Sequence, residues 1–502
     1  MITSAERRSR HRVRTYGQFI NGEFQAAVSG AVFPTIDPFT GEEWAWIPRG
    51  GVDDVDRAVA AAKAAGPGWA GMKPTSRGKV LVRLADLIER EAERLAEVEV
   101  RDNGKLLAEM WSQTRYLAEW YRYYGGLADK IEGAVIPSDK QGMFNFTRFE
   151  PFGVIAMITP WNSPLLLLSW KLAAALAAGN TAVIKPSEFT SASTLEFMSL
   201  FTEAGFPAGV VNVVTGLGGE VGAALASHAD VAKIAFTGSD GTGQKIYETA
   251  ARAIKPVTLE LGGKSPNIVF EDADLEAAVM GAVSGIFAAT GQTCIAGSRL
   301  LLQSSIHDRF IDRLLEVARQ AVIGDPMDLA TNVGPLTTPP QYAKVLSYIK
   351  IAQDEGARCV YGGQPVSVPG GDANQFITPA IFVDVDNRMR IAREEVFGPV
   401  LAVIRFDTEE QALAIANDSA FGLAAGVWTK DIGRALRMSE RLQAGTVWVN
   451  TYRAVSFTSP FGGYKRSGLG RESGLAAIKE YLCTKSVWIA TESTSQNPFV
   501  LR

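Results

Sequence analysis

From Gly153 onward the chain repeats one unit, a short β-branched apolar run followed by a segment with helical patterning. Runs at Val154–Thr159, Thr181–Lys185, Val210–Thr215, Lys233–Thr237 and Val257–Leu261 alternate with helical patterns at Leu165–Ala178, Ser191–Ala204, Glu220–Ser227 and Gly241–Ala253. Strands without polar alternation are buried on both faces, and strands separated by a helix run parallel, so the spacing predicts a doubly wound parallel α/β sheet. Such sheets bind ligands outside the carboxyl ends of their strands, which makes the residues there the first to read for chemistry.

A second strand–helix series runs from about Asn267 to Ala444, with a strand at Arg299–Gln303 and helices at His307–Ala321, Tyr342–Glu355, Thr408–Asn417 and Gly433–Leu442. With 502 residues, two to four domains are expected. Ahead of the repeats, Tyr16–Gly50 reads as short strands and turns, and Asp53–Ala65, Thr75–Val100 and Lys105–Tyr124 as amphipathic helices. The aromatic stripe Trp111, Tyr116, Trp120, Tyr121, Tyr123 and Tyr124 reads as core or subunit contact. A short helix, Ser473–Tyr481, leads to a strand at Ser486–Thr491; an isolated terminal strand is an open edge, so we expect it to pair in an oligomer interface with a hairpin-like projection, Ala128–Glu150.

Fifty basic against 54 acidic residues give a net charge of −4, so no global basic field would hold a nucleic acid. The most apolar stretch, Pro164–Gly179, is broken by Ser169 and Lys171 and falls short of the ~20 residues a membrane span needs. Arg7, Arg8, Arg10, Arg12 and Arg14 precede no apolar signal region and read as a frayed, solvated arm, an organelle transit peptide being the alternative. Three cysteines, Cys294, Cys359 and Cys483, without CxxC or metal-like clustering fit a reducing compartment. A cytoplasmic protein without a metal is expected.

The strand ends carry unusual residues. Gly238-Ser239, after Lys233–Thr237, can be an ordinary helix N-cap or an anion site for a pyrophosphate. Lys185 and Glu188 can be a surface ion pair or can hold an adenosine ribose, where a carboxylate would repel a 2′-phosphate and favour NAD over NADP. Cys294, in Gly291-Gln292-Thr293-Cys294-Ile295-Ala296-Gly297, sits among small and polar residues and reads as a packed small side chain or a nucleophile. The three histidines lie in no motif with it, which disfavours a Cys–His hydrolase. Glu260 is a carboxylate inside an apolar strand ahead of Gly262-Gly263, suited to a general base with raised pKa or to a structural salt bridge with Lys264.

Taken together, Pro160-Trp161-Asn162-Ser163-Pro164, Glu260-Leu261-Gly262-Gly263-Lys264-Ser265-Pro266, Gly291–Arg299, Glu395-Val396-Phe397-Gly398-Pro399 and Pro460-Phe461-Gly462-Gly463-Tyr464-Lys465-Arg466-Ser467-Gly468 resemble, in order and over nearly the whole chain, the signatures of the NAD(P)-dependent aldehyde dehydrogenase superfamily. The resemblance implies two doubly wound parallel-sheet domains, cofactor-binding (1–127 and 151–259) and catalytic (260–470), plus a small β oligomerisation element (128–150 and 471–502) in a homodimer or homotetramer. It implies Cys294 as nucleophile, Asn162 and the Cys294 N–H as oxyanion donors, Glu260 as base, and Lys171 and Glu472 as a proton relay. NAD would be contacted by Trp161, Lys185, Ser187, Glu188, Gly238, Ser239, Glu395 and Phe397. The retained Glu260 argues against a coenzyme A-acylating relative.

By the same resemblance the aldehyde channel would be lined by Ser163, Leu166, Leu167, Trp170, Arg453, Val455 and Phe461, with Ser163 where many relatives carry an aromatic. A broad aliphatic or aromatic aldehyde is the expected substrate, a carboxylated semialdehyde bound by Arg453 the alternative. A non-catalytic binding protein on this fold and a thioesterase using Cys294 without hydride transfer are the rival classes, separated by NAD dependence.

Overall fold

The computed structural model describes residues 3–9, 14–492 and 499. The first repeats build an eight-stranded sheet whose five central strands are parallel, in the order Val257–Glu260, Lys233–Thr237, Val154–Ile158, Thr181–Lys185, Val211–Val213. The chain therefore winds outward from Val154–Ile158 in both directions, and the switch point falls between that strand and Lys233–Thr237, where such sheets bind ligands. The hairpin Gln18–Ile20/Glu23–Gln25 extends one edge. Gly468–Leu469 returns from the far end of the chain to pair antiparallel with Leu259-Glu260 at the other.

The second series forms a seven-stranded sheet ordered Arg358–Tyr361, Ala380–Val383, Val400–Phe406, Arg299–Gln303, Pro266–Val269, Ala424–Trp428, Thr446–Val449, parallel except for its first strand. Every residue of the four central cofactor-sheet strands from Val154 to Thr237 that carry the site is buried except where the strands end in loops, which is why their sequences show no alternation.

The structure revises several expectations. The helix expected to stop at Ala65 runs Val52–Gly71 through Pro67; Trp69, fully buried, donates its indole N–H to the Leu176 carbonyl at 3.2 Å and anchors the final turn. Ser473–Tyr481 is not an α-helix but a run of 3₁₀ turns over Leu475–Tyr481, entered through Ser473 and Gly474 at positive φ. The terminal strand is longer, Leu482–Ala490, and pairs antiparallel with Met143–Pro151 of the same chain, from Leu482 opposite Pro151 to Ala490 opposite Met143. Its expected partner is right, but the pairing needs no second subunit.

Among the described residues, the expected frayed arm is in part helical and anchored. Ser4–Ser9 is helical; Arg7 pairs with Glu97, and Arg8 grips Asp325 through two 2.6 Å bonds and Asp37 at 3.1 Å. These acids are distant in sequence, so the arginines read as solvated without them. Arg10 and Arg12 lie outside the described residues. In the aromatic stripe, Trp120, Tyr121 and Tyr124 are fully buried core residues.

Candidate active site

The two strands flanking the switch point deliver the segments singled out in the sequence. Val154–Ile158 leads into Trp161 and Asn162; Lys233–Thr237 leads into Gly238 and Ser239, and all four line one cleft with Glu260, Cys294, Glu395, Phe397 and Leu167. Ser239 caps the helix Asp240–Arg252, accepting the Thr242 N–H, and the start of that helix follows directly on the cleft-lining Gly238 and Ser239, where first-turn N–H groups without intrahelical partners suit an anion. A Cβ on Gly238 would fall 2.4 Å from the Phe236 ring, so a larger residue there would have to displace that ring.

One strand further along, Lys185 and Glu188 form an ion pair of 2.8 Å with Lys185 itself buried, not a surface pair. Burial raises the Glu188 carboxyl, but Lys185 outweighs it and holds the group below its ordinary range. Ser187 caps the same loop, its hydroxyl accepting the Phe189 N–H at 3.3 Å. Trp161 meets Phe397 edge to face at 5.3 Å across the cleft. Phe397 stands at φ +60°, held by Gln341, which donates to the Val396 and Phe397 carbonyls at 2.8 and 2.9 Å.

Gly262-Gly263 bring the two halves of the site together. A Cβ on Gly262 would lie 2.5 Å from a Glu395 carboxylate oxygen, and one on Gly263 2.5 Å from the Cys294 carbonyl; the Gly263 N–H donates to Glu395 at 2.9 Å. Cys294, half-buried, has its thiol pushed up to about 12 by burial and by the Glu395 and Glu260 charges, with Lys105 pulling the other way, and its own backbone N–H faces its sulfur. The buried Asn162 donates its side-chain amide to the Gln292 carbonyl at 3.0 Å, two residues before the thiol.

Glu260 does not bridge to Lys264: both its buried carboxylate oxygens are without a hydrogen-bond partner among the described residues. Burial and the neighbouring Glu472 charge hold its pKa well above the ordinary value, against the pull of Lys171. Behind it Lys171, fully buried, donates to Glu472 and, at 2.5 Å, to Thr237. Glu472 is itself raised by burial against the opposing pull of Lys171 and is fixed by a two-way backbone bridge to Phe461.

On the far side of Cys294 lies an apolar wall. Trp170 meets Phe461 at 4.9 Å and stacks on Trp120; Leu166, Leu167 and Val455 pack into the same cluster, which the half-buried Cys294 adjoins. Ser163 accepts a hydrogen bond from the buried Lys105, and Arg453, at φ +67°, donates to the Ser284 carbonyl at 3.2 Å. The sequence reading missed Gln341 and Lys344, which line the cleft from the helix Pro339–Asp354, Phe457, which packs on Tyr116, Trp120 and Tyr123, and Lys105. None lies in a strand-end motif; only the fold brings them in.

A switch-point cleft carrying an anion-ready helix terminus, a cysteine and a buried carboxylate defines a nucleotide-dependent oxidoreductase with a thiol at its centre. The profile of the aldehyde dehydrogenase family matches residues 24–487. The chain is 47% identical to (Z)-2-((N-methylformamido)methylene)-5-hydroxybutyrolactone dehydrogenase of Acinetobacter baylyi over 96% of this chain and 99% of that protein. It is also 47% identical to human retinal dehydrogenase 2 over 94% and 91%. Betaine aldehyde dehydrogenase of Staphylococcus aureus, crystallised with NAD+, superposes with a TM-score of 0.95 at 39% identity, covering 97% of each chain. The chain belongs to the aldehyde dehydrogenase family, and is an oxidoreductase of that class.

Proposed function

We propose that the protein oxidises an aldehyde to its carboxylic acid with NAD as hydride acceptor, through a covalent thioester on Cys294. The observation that carries this reading is the convergence of Cys294, Asn162, Glu260 and Glu395 in one cleft at the switch point. The residues fit a dinucleotide: the Asp240–Arg252 helix start with Gly238, Ser239 and Trp161 suits the pyrophosphate, Glu188 with Lys185 and Ser187 the adenosine ribose, and Glu395 with Phe397 the nicotinamide ribose. The Glu188 carboxylate would repel a 2′-phosphate, favouring NAD over NADP. The NAD+ complex of the staphylococcal relative supports this assignment.

Cys294 rests as a neutral thiol because burial and two carboxylates disfavour its anion. Glu260, whose proton affinity burial raises, is matched to take the thiol proton as the sulfur attacks the aldehyde carbon. The developing oxyanion accepts hydrogen bonds from the Asn162 amide, turned from the Gln292 carbonyl, and from the Cys294 N–H. Bound NAD supplies the hydride acceptor that converts this thiohemiacetal into a thioester. Glu472 with Lys171 then carries the thiol proton from Glu260 toward solvent; the freed Glu260 takes a proton from the water that attacks the thioester carbonyl and returns it to the departing thiolate, releasing the acid and restoring the thiol. Val455, Leu166, Leu167, Trp170 and Phe461 suit an aliphatic or aromatic carbon skeleton.

The exposed Trp488 and Ile489 on the Leu482–Ala490 strand support a homo-oligomer built on the 128–150 and 471–502 element, apart from cofactor (1–127, 151–259) and catalytic (260–470) domains. No helix among the described residues is long and apolar enough to cross a membrane, and we place the protein in the cytoplasm on its unpaired cysteines. The test is NADH formation by wild type and Cys294→Ala across aliphatic, aromatic, amino and carboxylated aldehydes, repeated with NADP. Cys294-dependent NADH is expected; no NADH from any aldehyde, together with NAD-independent hydrolysis of a thioester by Cys294, would replace the reading by a thioesterase.

A further inference from the structure

Lys105 is 6% exposed, yet its ammonium makes a single hydrogen bond among the described residues, to the Ser163 hydroxyl at 2.5 Å, and no carboxylate stands within 4.0 Å of it. An ammonium has three donors, and a buried one left with two unused is costly unless something else accepts them. The loop that holds it is rigid: Gly104, at φ +74°, ends the Pro74–Asn103 helix, and the Lys105 N–H donates to the fully buried Asn103 side chain at 2.9 Å. Asn103 also receives the Thr337 hydroxyl on its carbonyl. Lys105 is therefore fixed beside Ser163, whose neighbour Asn162 lines the reaction cleft with Cys294.

No ion pair compensates this ammonium among the described residues. Burial lowers the Lys105 pKa and Arg453 adds to that, against the pull of Glu109, Glu99 and Cys294. Glu109 commits an oxygen to the Ala289 N–H at 3.1 Å, in the positive-φ turn just ahead of Cys294. Glu99 is fully buried, and burial pushes its carboxyl toward the neutral acid. Arg453 adds a second cation, its guanidinium tied among the described residues only to the neutral Ser284 carbonyl. Neither cation thus has a carboxylate in ion-pair contact among the described residues.

We propose that Lys105 is a specificity-determining residue, whose ammonium, held beside the Ser163 hydroxyl next to the cleft-lining Asn162 and aided by Arg453, binds a carboxylate carried by the aldehyde substrate. The inference rests on the aldehyde-oxidising reading above and narrows it to carboxylated aldehydes with an apolar skeleton. A carboxylate would accept the spare ammonium donors and neutralise the excess positive charge, both gains that an uncharged aldehyde cannot supply.

The test compares 4-carboxybenzaldehyde with 4-methylbenzaldehyde, which match in shape and differ in charge. Wild type should favour the carboxylated aldehyde in kcat/KM, and Lys105→Met should lower that preference ratio by about 30-fold or more, chiefly through KM. Arg453→Met should lower the same ratio less. An unchanged ratio in Lys105→Met overturns the proposal, as does equal loss on both aldehydes, which would make Lys105 a support for Cys294. Should Lys105→Met fail to fold, protection of wild-type Cys294 from iodoacetamide decides: terephthalate must protect at lower concentration than 4-methylbenzoate, and equal protection overturns the assignment. Absence of NADH from wild type with every aldehyde would instead overturn the underlying reading.

Discussion

Replacing Asn162 by alanine separates the chemistry of the oxyanion from the stability of the loop that carries it. In the resting site the amide makes one neutral hydrogen bond, 3.0 Å to the Gln292 carbonyl, from a side chain 6% exposed. Losing that bond leaves a buried carbonyl without its donor, a cost of about 1–3 kcal/mol in stability, readable as a shift in denaturation midpoint. The same amide donates to the oxyanion only as negative charge develops, and removing such a donor lowers turnover by about 10²–10³-fold. Rapid mixing with NAD and aldehyde, following the first turnover of NADH, measures the second effect alone. The burst rate should fall by that factor while NAD affinity, read by fluorescence quenching, stays within about threefold, since Asn162 meets the reacting carbon and not the dinucleotide. A burst slowed by less than about threefold, or one slowed only in step with lost NAD binding, would refute the oxyanion role.

Glu260→Gln should slow the NADH burst and depress steady turnover further, by about 10²–10⁴-fold, because deacylation needs the base a second time; a burst at the wild-type rate in stopped flow would remove Glu260 from the activation of Cys294. Because burial raises the Glu260 pKa and a base must be deprotonated, steady turnover should fall as pH drops through a value above the ordinary carboxylate range, a limb that a pH–rate profile would show missing if the base were elsewhere. Gly263→Ala, whose Cβ would lie 2.5 Å from the Cys294 carbonyl, should cost about 1–3 kcal/mol by overpacking and slow iodoacetamide labelling of Cys294; a normal labelling rate would show that the loop yields freely. Glu188→Gln should raise the NADP-to-NAD ratio of kcat/KM, and an unchanged ratio would remove Glu188 from the ribose site. Asp102, pushed by burial from its ordinary 3.8 up to about 7, keeps in the folded chain a proton that the unfolded chain loses first. Its contribution to stability is thus greatest below about pH 4, declines by about 4 kcal/mol on rising to about pH 7, and is level above; Asp102→Asn should flatten melting temperature against pH over that window.

Residues whose roles depend on a strand's end were legible in the sequence. The apolar runs fixed where Trp161, Asn162, Lys185, Gly238 and Glu260 would stand, because a strand buried on both faces can be recognised without its neighbours. The short Ala128–Glu150 hairpin was legible as the mate of the terminal strand, but not the fact that both belong to one chain, since an edge carries no record of which copy covers it. Arg7 and Arg8 read as solvent-facing because Glu97, Asp37 and Asp325 are brought to them only by tertiary folding. Helix length at Pro67 was set by Trp69 docking on Leu176, a contact stronger than the local propensity that argues for a stop. Lys105 was illegible for the same reason: a lysine after Asn103-Gly104 looks like a helix end in water, and burial comes from elements far along the chain.

The groups left with incomplete hydrogen bonding around Cys294 give the site its character. Both oxygens of Glu260, one oxygen of Glu472 and the spare donors of Lys105 are buried within the region where the thiol, the cleft and the apolar wall meet. Each unsatisfied group costs about 1–3 kcal/mol, a burden that a core spanning the cofactor sheet and its helices can offset but does not itself require. Their chemistry is also sorted by side. Glu260 has Glu472 and Lys171 as its charged neighbours, where a proton has to be taken and passed on, and the ammonium of Lys105 stands beside Ser163 with Arg453 among its own charged neighbours. A site that only needed to activate a thiol would gain by placing that cation against Cys294 and pairing it with Glu99 as an intact ion pair. Leaving Lys105 short of acceptors makes sense if the missing acceptor arrives with the substrate, so that binding energy is released where the aldehyde is chosen and the proton chemistry at Glu260 is left undisturbed.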